Sequence, residues 1–242
     1  MRFIERLKRI VLGNKYSSES YIEYLRGLGV KIGDNSRFYN VEYALVDVTR
    51  PYLIEIGTNV KLTKGITILT HDYAWSVIKN KYGNVMGSAG KVRIGNNVFV
   101  GVNTTILKGV TIGDNVIIGA GSVVSKDIPS DCVAIGSPAR PVMTLEEYYN
   151  RRISSQEKEA KELIMAYMEC FGRKPVEDDL KDFFWLFTDV NDNIHPLFEK
   201  NMRLCGSEDI SYRMFEKNVK KYADMTDMID HIIGKSIDNS EF

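Results

Sequence analysis

The sequence predicts a mainly β protein with a stacked parallel coil at its centre, a short helical segment before the coil and an α-helical extension after it. Three observations predict this fold class. Apolar residues recur every six positions, turn-favouring residues recur three positions after them, and helical spacing replaces both patterns near residue 144. The predicted parts are residues 1–30, 31–143 and 144–242.

The apolar period of six matches neither the 3.6-residue repeat of an α-helix nor the two-residue alternation of a half-buried strand. The recurring positions are Ile56, Leu62 and Ile68, followed by Ile94, Val100, Ile106, Ile112, Ile118 and Val124. Short strands that each point one apolar side chain inward can stack, turn after turn, into a parallel β-helix with a continuous core. The period therefore predicts such a coil.

Two further patterns share the same phase. Residues that tolerate left-handed backbone or initiate turns stand three positions after the apolar ones: Asn59, Gly65, Asn97, Asn103, Gly109, Asn115, Gly121 and Asp127. Small or β-branched residues stand four positions after them: Val98, Thr104, Val110, Val116, Ser122 and Ile128. These patterns predict turns at the corners and a narrow interior in which neighbouring backbones lie close together.

The flanks of the repeat follow other rules. The stretch SSESYIEYLRGLG predicts a short helix that ends at Gly27 or Gly29. Residues 31–53 are expected to form irregular first coils, because Arg50 stands where the next inward residue is due. Before them, apolar residues from Phe3 to Val11 alternate with basic ones, which suits packing on the protein itself or weak association with an anionic membrane surface.

The extension shows helical spacing. Ser154 and Glu157 form a capping-box pattern before an amphipathic helix that Gly172 ends. The same spacing returns at Leu180, Phe183, Phe184 and Phe187, and around residues 208–222 and 226–233. Such an extension suits either a satellite domain that packs on the coil or a neighbouring subunit, or a region that recognises an acceptor or a partner.

Charge and cysteine content limit the class of protein. Residues 1–143 carry 18 basic and 11 acidic side chains and residues 144–242 carry 14 and 21, so the net charges are +7 and −7. Neither value suggests a dedicated nucleic-acid binder. The three cysteines lack metal-type spacing and are expected to be buried apolar residues. With no signal-peptide or membrane-span pattern, a cytoplasmic protein is expected.

The stretch VRIGNNVFVGVNTTILKGVTIGDNVIIGAGSVVSKDIPSDCVAIGSPAR resembles the hexapeptide-repeat acyltransferases, in the branch of sugar and xenobiotic O-acetyltransferases that includes enzymes of surface polysaccharides. The resemblance covers about residues 54–143. It implies a left-handed parallel β-helix, a homotrimer with active sites between neighbouring subunits, acetyl-CoA as co-substrate and no metal. Phe99 departs from the tryptophan that is common at its position.

His71 is the candidate catalytic base. It stands three positions after Ile68, where other coils carry Asn or Gly, and an insertion of about twenty residues begins there. A corner histidine with positive φ is the alternative interpretation. Neutral imidazole, with a usual pKa of about 6.5, can take the proton of an attacking hydroxyl. Asp72 is a second candidate, to orient His71 or to accept a hydrogen bond from the sugar.

The resemblance also implies sites for the co-substrate and acceptor. It assigns the oxyanion of the thioester to the Val102 amide, and the pantetheine or phosphate end of coenzyme A to Ala120, Lys126 and Arg140. Phosphates favour backbone N–H groups and basic side chains, which agrees with that assignment. In the insertion, Tyr73, Trp75 and Tyr82 are candidates to cover a sugar ring or to pack on a neighbouring subunit.

These features predict an acetyl-CoA-dependent O-acetyltransferase that acts on a saccharide hydroxyl, in surface polysaccharide or glycolipid modification. N-acetylation of an amino sugar or its nucleotide form is the alternative reaction, and a non-catalytic trimeric scaffold is the alternative of another class. Zinc-dependent carbonic anhydrases use similar coils but need three histidines, whereas His195 and His231 lie in the extension and are expected to be structural.

Overall fold

The computed structural model describes residues 11–238, which divide into two compact units at the boundary between Tyr149 and Asn150 in the sequence. The apolar positions from Phe3 to Ile10 lie outside the described residues. Between residues 11 and 238, no helix combines the length and apolarity needed to cross a membrane. The two units, residues up to 149 and residues from 150, are described separately below.

The first unit consists mainly of short strands. Its helices are α1 (Ser18–Leu28) and α2 (Trp75–Tyr82), with 3-10 turns at Gly13–Tyr16, Val41–Tyr43 and Pro51–Leu53. Its strands are β1 (Lys31–Ile32), β2 (Arg37–Phe38), β3 (Leu45–Val46), β4 (Ile54–Ile56), β5 (Lys61–Leu62), β6 (Thr67–Ile68), β7 (Val92–Ile94), β8 (Val98–Val100), β9 (Thr105–Ile106), β10 (Thr111–Ile112), β11 (Val116–Ile118), β12 (Val123–Val124), β13 (Cys132–Gly136) and β14 (Ala139–Thr144).

From β1 to β12, successive strands enter three sheets in rotation. Sheet A has the order β1-β4-β7-β10, sheet B the order β2-β5-β8-β11-β13-β14, and sheet C the order β3-β6-β9-β12. All pairs are parallel except β13 with β14. The chain is therefore a parallel coil with three faces, and we call the turns between them the AB, BC and CA corners.

The inward positions of the repeat form the core of this coil, as predicted. Every apolar residue of the six-residue period, from Ile56 to Val124, is at most 3% exposed. Glycines bring the backbones of adjacent coils together, since a Cβ atom on Gly101 would lie 2.5 Å from the Ala120 amide nitrogen. The predicted mainly parallel β architecture is thus present, and its core is the stacked row of inward side chains.

Most predicted corner residues adopt left-handed backbone. Positive φ angles occur at Asn59, Gly65, Asn97, Asn103, Gly109, Asn115 and Gly121. Asp127 is not among the positive-φ residues, and its carboxylate instead accepts a hydrogen bond from the Thr111 amide at 2.7 Å. His71 is not among them either, so the alternative interpretation of this histidine as a left-handed corner residue is wrong.

The first coils over residues 31–53 are irregular, as predicted, although their strands keep to the three sheets. β1, β2 and β3 complete one turn through all three sheets. The 3-10 turn at Val41–Tyr43 adds residues before β3, so that Val46, rather than Ala44, lies opposite Ile68. A second 3-10 turn, Pro51–Leu53, precedes β4. Arg50 therefore lies in an insertion and not at an inward position. The preceding helix, α1, ends at Gly29, whose φ is 107°.

The second unit is helical, and its first helix begins just before the boundary. It contains α3 (Leu145–Phe171), α4 (Pro196–Met202), α5 (Glu208–Phe215) and α6 (Met225–Asp238), with 3-10 turns at Phe184–Leu186 and Leu204–Gly206. A separate core consists of Ile164, Leu180, Phe184, Phe187, Phe198, Met202, Phe215, Tyr222, Met228, Ile229 and Ile232. This unit buries its own apolar side chains independently of the coil's core cluster.

Several predictions for this unit are corrected by the structure. The capping box is formed by Thr144 and Glu147, where the Glu147 amide donates to Thr144 Oγ1 at 3.1 Å and the Thr144 amide to Glu147 Oε2 at 2.7 Å. Ser154 lies inside α3 and donates to the Arg151 carbonyl. The residues from Leu180 to Phe187 form turns and a 3-10 segment rather than an α-helix.

The cysteines do not share one environment. Cys132 is buried in β13, as expected for a small apolar side chain. Cys170 and Cys205 are exposed, so the expectation of burial is wrong for these two. All three have free thiols.

Candidate active site

His71 lies at the CA corner, three residues beyond β6. The neighbouring coil supplies its partner, because β3 pairs with β6 and the Asp47 amide, just past β3, donates to the Ile68 carbonyl at 2.9 Å. This register carries the Asp47 side chain to the corner, where its Oδ2 lies 2.6 Å from Nδ1 of His71. Parallel stacking therefore joins two residues that are 24 positions apart in sequence.

Asp47 is buried and richly hydrogen-bonded, with a side chain only 4% exposed. Thr49 donates to its Oδ1 from the amide at 3.0 Å and from the hydroxyl at 2.6 Å, and Thr70 donates to Oδ2 from both its amide and its hydroxyl. Burial alone would raise the pKa of this carboxyl, but hydrogen bonds from Thr49, Thr70 and His71 outweigh it and hold the pKa well below its usual range.

The charge of Asp47 decides the tautomer of His71. An ionised carboxylate only accepts hydrogen bonds, so Nδ1 of His71 carries the proton that bridges the two side chains. In a neutral ring the lone pair then belongs to Nε2. Within residues 11–238 no hydrogen-bond partner meets Nε2, and the side chain is 28% exposed. The geometry presents an oriented imidazole with an accessible basic nitrogen.

The insertion after His71 closes on itself at its base. His71 forms an antiparallel bridge with Ala89, and the Gly90 amide donates to the Thr70 carbonyl at 2.9 Å. We call residues 70–72 and 88–90 the loop neck. Because His71 belongs to this neck, its backbone is held both by the loop and by the coil.

Asp72 secures the neck and does not orient His71. Its Oδ2 accepts from Ser88 Oγ at 2.9 Å and from Lys108 Nζ, and its Oδ1 accepts from the Ala74 amide at 3.0 Å. Lys108, followed by the Ala74 and Ser88 hydrogen bonds, lowers the pKa of Asp72 to about 2. The sequence suggested Asp72 as the residue that orients His71, whereas in the structure Asp47 makes that contact.

The aromatic residues of the insertion are largely on the surface. Tyr73 and Tyr82 are 69% and 66% exposed. The rings of Tyr73 and Trp75 lie 4.9 Å apart, just beyond the loop neck, while Tyr82 lies at the far end of α2. Two of the three predicted acceptor residues are thus adjacent to each other and follow His71 closely in sequence.

Two of the residues predicted to contact the oxyanion and coenzyme A lie at a different corner from His71. Val102 and Ala120 both follow sheet B strands at the BC corner, in adjacent coils, where the Gly121 amide donates to the Val102 carbonyl at 2.7 Å. No acceptor for the Val102 amide occurs in the described part of the chain, and its side chain is 41% exposed. The width of sheet C separates this corner from His71 in one chain.

Lys126 and Arg140 occupy two further places. Lys126 follows β12 by two residues, as Lys108 follows β9, so it lies at the CA corner above Lys108. Arg140 lies in β14 at the end of sheet B, is exposed, and donates to the Ala139 carbonyl at 2.7 Å. Across residues 11–238, no group of three or more His, Cys, Asp or Glu side chains is arranged to hold a metal ion.

Sequence reasoning missed Asp47 and Lys108. Asp47 escaped notice because the two 3-10 turns shift the period between β2 and β4, which hides that Val46 and Ile68 are equivalent positions. Lys108 follows Ile106 by two residues, as Thr70 follows Ile68, so the repeat itself contained the signal for its position beside the loop neck.

Known proteins match this chain over the coil and its surroundings. Residues 91–126 match the family model "Bacterial transferase hexapeptide (six repeats)". Protein CapG of Staphylococcus aureus is 39% identical over 143 residues, which cover 55% of this chain and 82% of CapG. Galactoside O-acetyltransferase of Escherichia coli K12 is 38% identical over 128 residues, covering 52% of this chain and 59% of that enzyme.

A solved structure, the maltose O-acetyltransferase from Clostridium difficile 630, is 31% identical and is matched over 59% of this chain and 83% of its own, with a TM-score of 0.39. The family model, which describes repeats of six residues, agrees with the period of six. The chain belongs to the bacterial hexapeptide-repeat transferases and is an acyltransferase.

Proposed function

We propose that the protein is an acetyl-CoA-dependent O-acetyltransferase that transfers the acetyl group to a saccharide hydroxyl, with His71 as general base. The observation that carries the proposal is the contact between Asp47 Oδ2 and His71 Nδ1 at 2.6 Å, which leaves Nε2 as the basic nitrogen. An oriented neutral imidazole is what attack by a weakly acidic hydroxyl requires.

The proposed reaction uses few protein groups. Nε2 of His71 takes the hydroxyl proton as the acceptor oxygen bonds to the acetyl carbonyl carbon. The carbon–sulfur bond then breaks, and the leaving thiolate of coenzyme A takes the proton back from the imidazolium. Asp47 stabilises the imidazolium between these steps, because its carboxylate stays ionised and hydrogen-bonded to Nδ1.

We assign the binding of the thioester and of coenzyme A mainly to residues of the BC corner. The Val102 amide, which has no acceptor among the described residues, can donate to the oxyanion that develops on the thioester carbonyl. Such a donor typically contributes about 3–4 kcal/mol of transition-state stabilisation. We assign the Ala120 amide to the pantetheine arm and Lys126 and Arg140 to the phosphates. Exposed cationic side chains and close backbone approach at Gly101 support this assignment.

We also propose that the coil is left-handed and that three chains associate, as the family resemblance implies. The separation of His71 from Val102 by sheet C supports association, because the CA corner of one chain can then complete a site with the BC corner of its neighbour. In this proposal residues 31–143 are the catalytic domain, residues 1–30 a helical lead segment and residues 144–242 an extension.

We propose that the acceptor of the acetyl group is a sugar. The adjacent rings of Tyr73 and Trp75 and the exposed Tyr82 offer apolar faces of the kind that cover sugar rings, close in sequence to the base. The names of two relatives, which act on a galactoside and on maltose, support a saccharide. We propose modification of a surface polysaccharide or glycolipid as the setting.

An acceptor screen tests this function. The purified protein is incubated with isotope-labelled acetyl-CoA and a panel of sugars and amino sugars, and products are read by mass spectrometry. Labelled esters that mild alkali removes are the expected products. Labelled amides that survive alkali would instead establish N-acetylation, and failure to bind coenzyme A in calorimetry would favour the scaffold.

A further inference from the structure

The helical unit contains a cavity that the proposed acetyl transfer does not use. Its volume is about 270 Å³, and it lies between α3 and α6. The lining residues are Ser154, Glu157, Lys158, Lys161, His231 and Ile232. The four residues from α3 are spaced so that they share one face of that helix, and the two from α6 lie opposite.

Hydrogen bonds and apolar packing hold the side chains around this cavity in place. Ile232 is 3% exposed and provides an apolar floor. The carboxylate of Glu157 accepts from the Tyr222 hydroxyl at 2.7 Å and from Lys221 Nζ, and the Tyr222 ring lies 5.5 Å from the His231 ring. Glu157 therefore holds Tyr222 and Lys221 in place, and its negative charge is balanced within the wall.

The balance of charge at the cavity is positive. Lys158 lies 3.8 Å from Glu162, and both side chains are mostly exposed, so that pair is weak. For Lys161, no carboxylate within the described residues lies within 4.0 Å of Nζ. Among the residues that line the cavity, Lys158 and Lys161 thus outnumber Glu157, whose carboxylate already accepts from Lys221 and Tyr222. This excess occurs in the acidic part of the chain, where residues 144–242 carry a net charge of −7.

We propose that this cavity, which we call the α3–α6 site, binds the phosphate or diphosphate group of a small ligand. Lysine ammonium groups act as point charges toward phosphate oxygens, and the imidazole of His231 adds an N–H donor at the opposite wall. The volume is larger than one phosphate needs, so there is room for part of the group that carries it. The proposal concerns binding alone and does not depend on the acetyl-transfer function.

Calorimetry with pyrophosphate on the full chain tests the α3–α6 site. We expect one-to-one binding that weakens at least tenfold in Lys161→Gln and in Lys158→Gln. Lys217→Gln is the matched control, since it removes an exposed lysine elsewhere in the same unit, and it should bind as the wild type does. Unchanged circular dichroism and melting temperature in each variant exclude loss of folding.

Pyrophosphate can also bind to the basic side chains that we assign to the phosphates of coenzyme A. Arg140→Gln distinguishes the two sites, because Arg140 belongs to the proposed coenzyme A site alone. Pyrophosphate binding to the α3–α6 site should be unchanged in this variant, whether or not the coenzyme A assignment is correct. Loss of binding in Arg140→Gln alone, equal binding in all variants, or no binding at millimolar pyrophosphate would overturn the proposal.

A second measurement separates a soluble phosphate from a lipid headgroup. Wild type and Lys161→Gln are sedimented with phosphatidylcholine vesicles, with and without phosphatidic acid. A headgroup ligand gives co-sedimentation that needs phosphatidic acid and Lys161, whereas a soluble ligand gives pyrophosphate binding without co-sedimentation. Either result supports binding of a phosphate group at the α3–α6 site and shows whether the group belongs to a lipid or to a soluble ligand. Co-sedimentation that does not depend on Lys161 would contradict the proposal.

Discussion

The buried carboxylate of Asp47 determines which nitrogen of His71 is available for chemistry. Its five hydrogen bonds, from Thr49, Thr70 and His71, keep it ionised despite burial. Without that charge the imidazole would be free to rotate or to carry its proton on Nε2, where it is useless as a base.

Asp47→Asn should therefore reduce kcat for acetyl transfer by roughly 10²–10⁴-fold with little change in KM for acetyl-CoA, because an amide no longer selects the productive tautomer. Steady-state kinetics with thiol detection measures both parameters. Asp34→Asn is the matched control, since Asp34 belongs to the first unit, is 91% exposed and contacts Arg26 instead of the imidazole. If the two substitutions lowered kcat equally, the orienting role of Asp47 would be wrong.

The sequence predicted the candidate base but not its partner. His71 was identifiable because it interrupts the corner pattern at the start of an insertion. Asp47 was not identifiable, because one 3-10 turn precedes it and another follows it, and the residues that such turns add destroy a six-residue phase. The neighbouring Asp72 was the better candidate by proximity in sequence, but its side chain points to Lys108.

At the level of elements, the loop neck couples the insertion to the coil. Lys108, from the coil that follows the insertion, binds the carboxylate of Asp72, which also accepts from Ser88 across the neck. The same neck contains His71. One ion pair thus fixes both the base of the insertion and the backbone of the catalytic candidate.

Lys108→Met should raise the hydrogen exchange of peptides from residues 70–91, whereas Lys108→Arg should preserve protection. The pKa of Asp72 is depressed to about 2, so its ion pair stabilises the neck above the usual carboxyl pKa of about 4 and is lost as pH falls through about 2. Protection, corrected for intrinsic exchange, should accordingly persist between pH 7 and pH 4. Unchanged exchange in Lys108→Met would contradict this coupling.

The start of α3 gives a stability prediction. Thr144→Ala removes the capping hydrogen bond to the Glu147 amide and should lower the free energy of unfolding by about 0.5–2 kcal/mol. Ser154→Ala is the matched control, since Ser154 lies mid-helix and alanine favours helix there, so its effect should be within about 0.5 kcal/mol of zero. Urea unfolding measures both. A larger loss in Ser154→Ala would favour the cap position first predicted.

The sequence predicted the presence of this helix correctly and its start wrongly. The patterns Thr144-x-x-Glu147 and Ser154-x-x-Glu157 have the same local chemistry, and helical periodicity alone does not say which of them lies at the end. Tertiary context decides, because β14 pairs with β13 up to Thr144 and the Leu145 amide donates to the Asp131 carbonyl.

At the level of the whole molecule, the coil distributes the proposed site over two corners. His71 follows sheet C, whereas Val102 and Ala120 follow sheet B. A six-residue period predicted the stacked coil because each turn contributes equivalent residues to the same face. It did not reveal whether chains associate, since the period concerns only the inward residues.

Mixed trimers test whether neighbouring chains complete each site. His71→Ala and Val102→Pro, which removes the Val102 amide proton, should each be inactive alone. Co-expression should restore about a quarter of wild-type activity, since that share of interfaces pairs an intact His71 with an intact Val102 amide. Val102→Ala retains the amide and should stay active. No recovery on co-expression would mean that one chain holds the entire site.

The role of His71 as base is tested by the rate of acetyl transfer by His71→Ala, measured in a single turnover at saturating acetyl-CoA and acceptor. Calorimetry and sedimentation on the same preparation establish that coenzyme A binding and chain association are intact. If His71 is the base, transfer falls by about 10²–10⁴-fold while coenzyme A affinity is unchanged. Transfer near the wild-type rate by a folded, coenzyme A-binding His71→Ala protein would contradict the account.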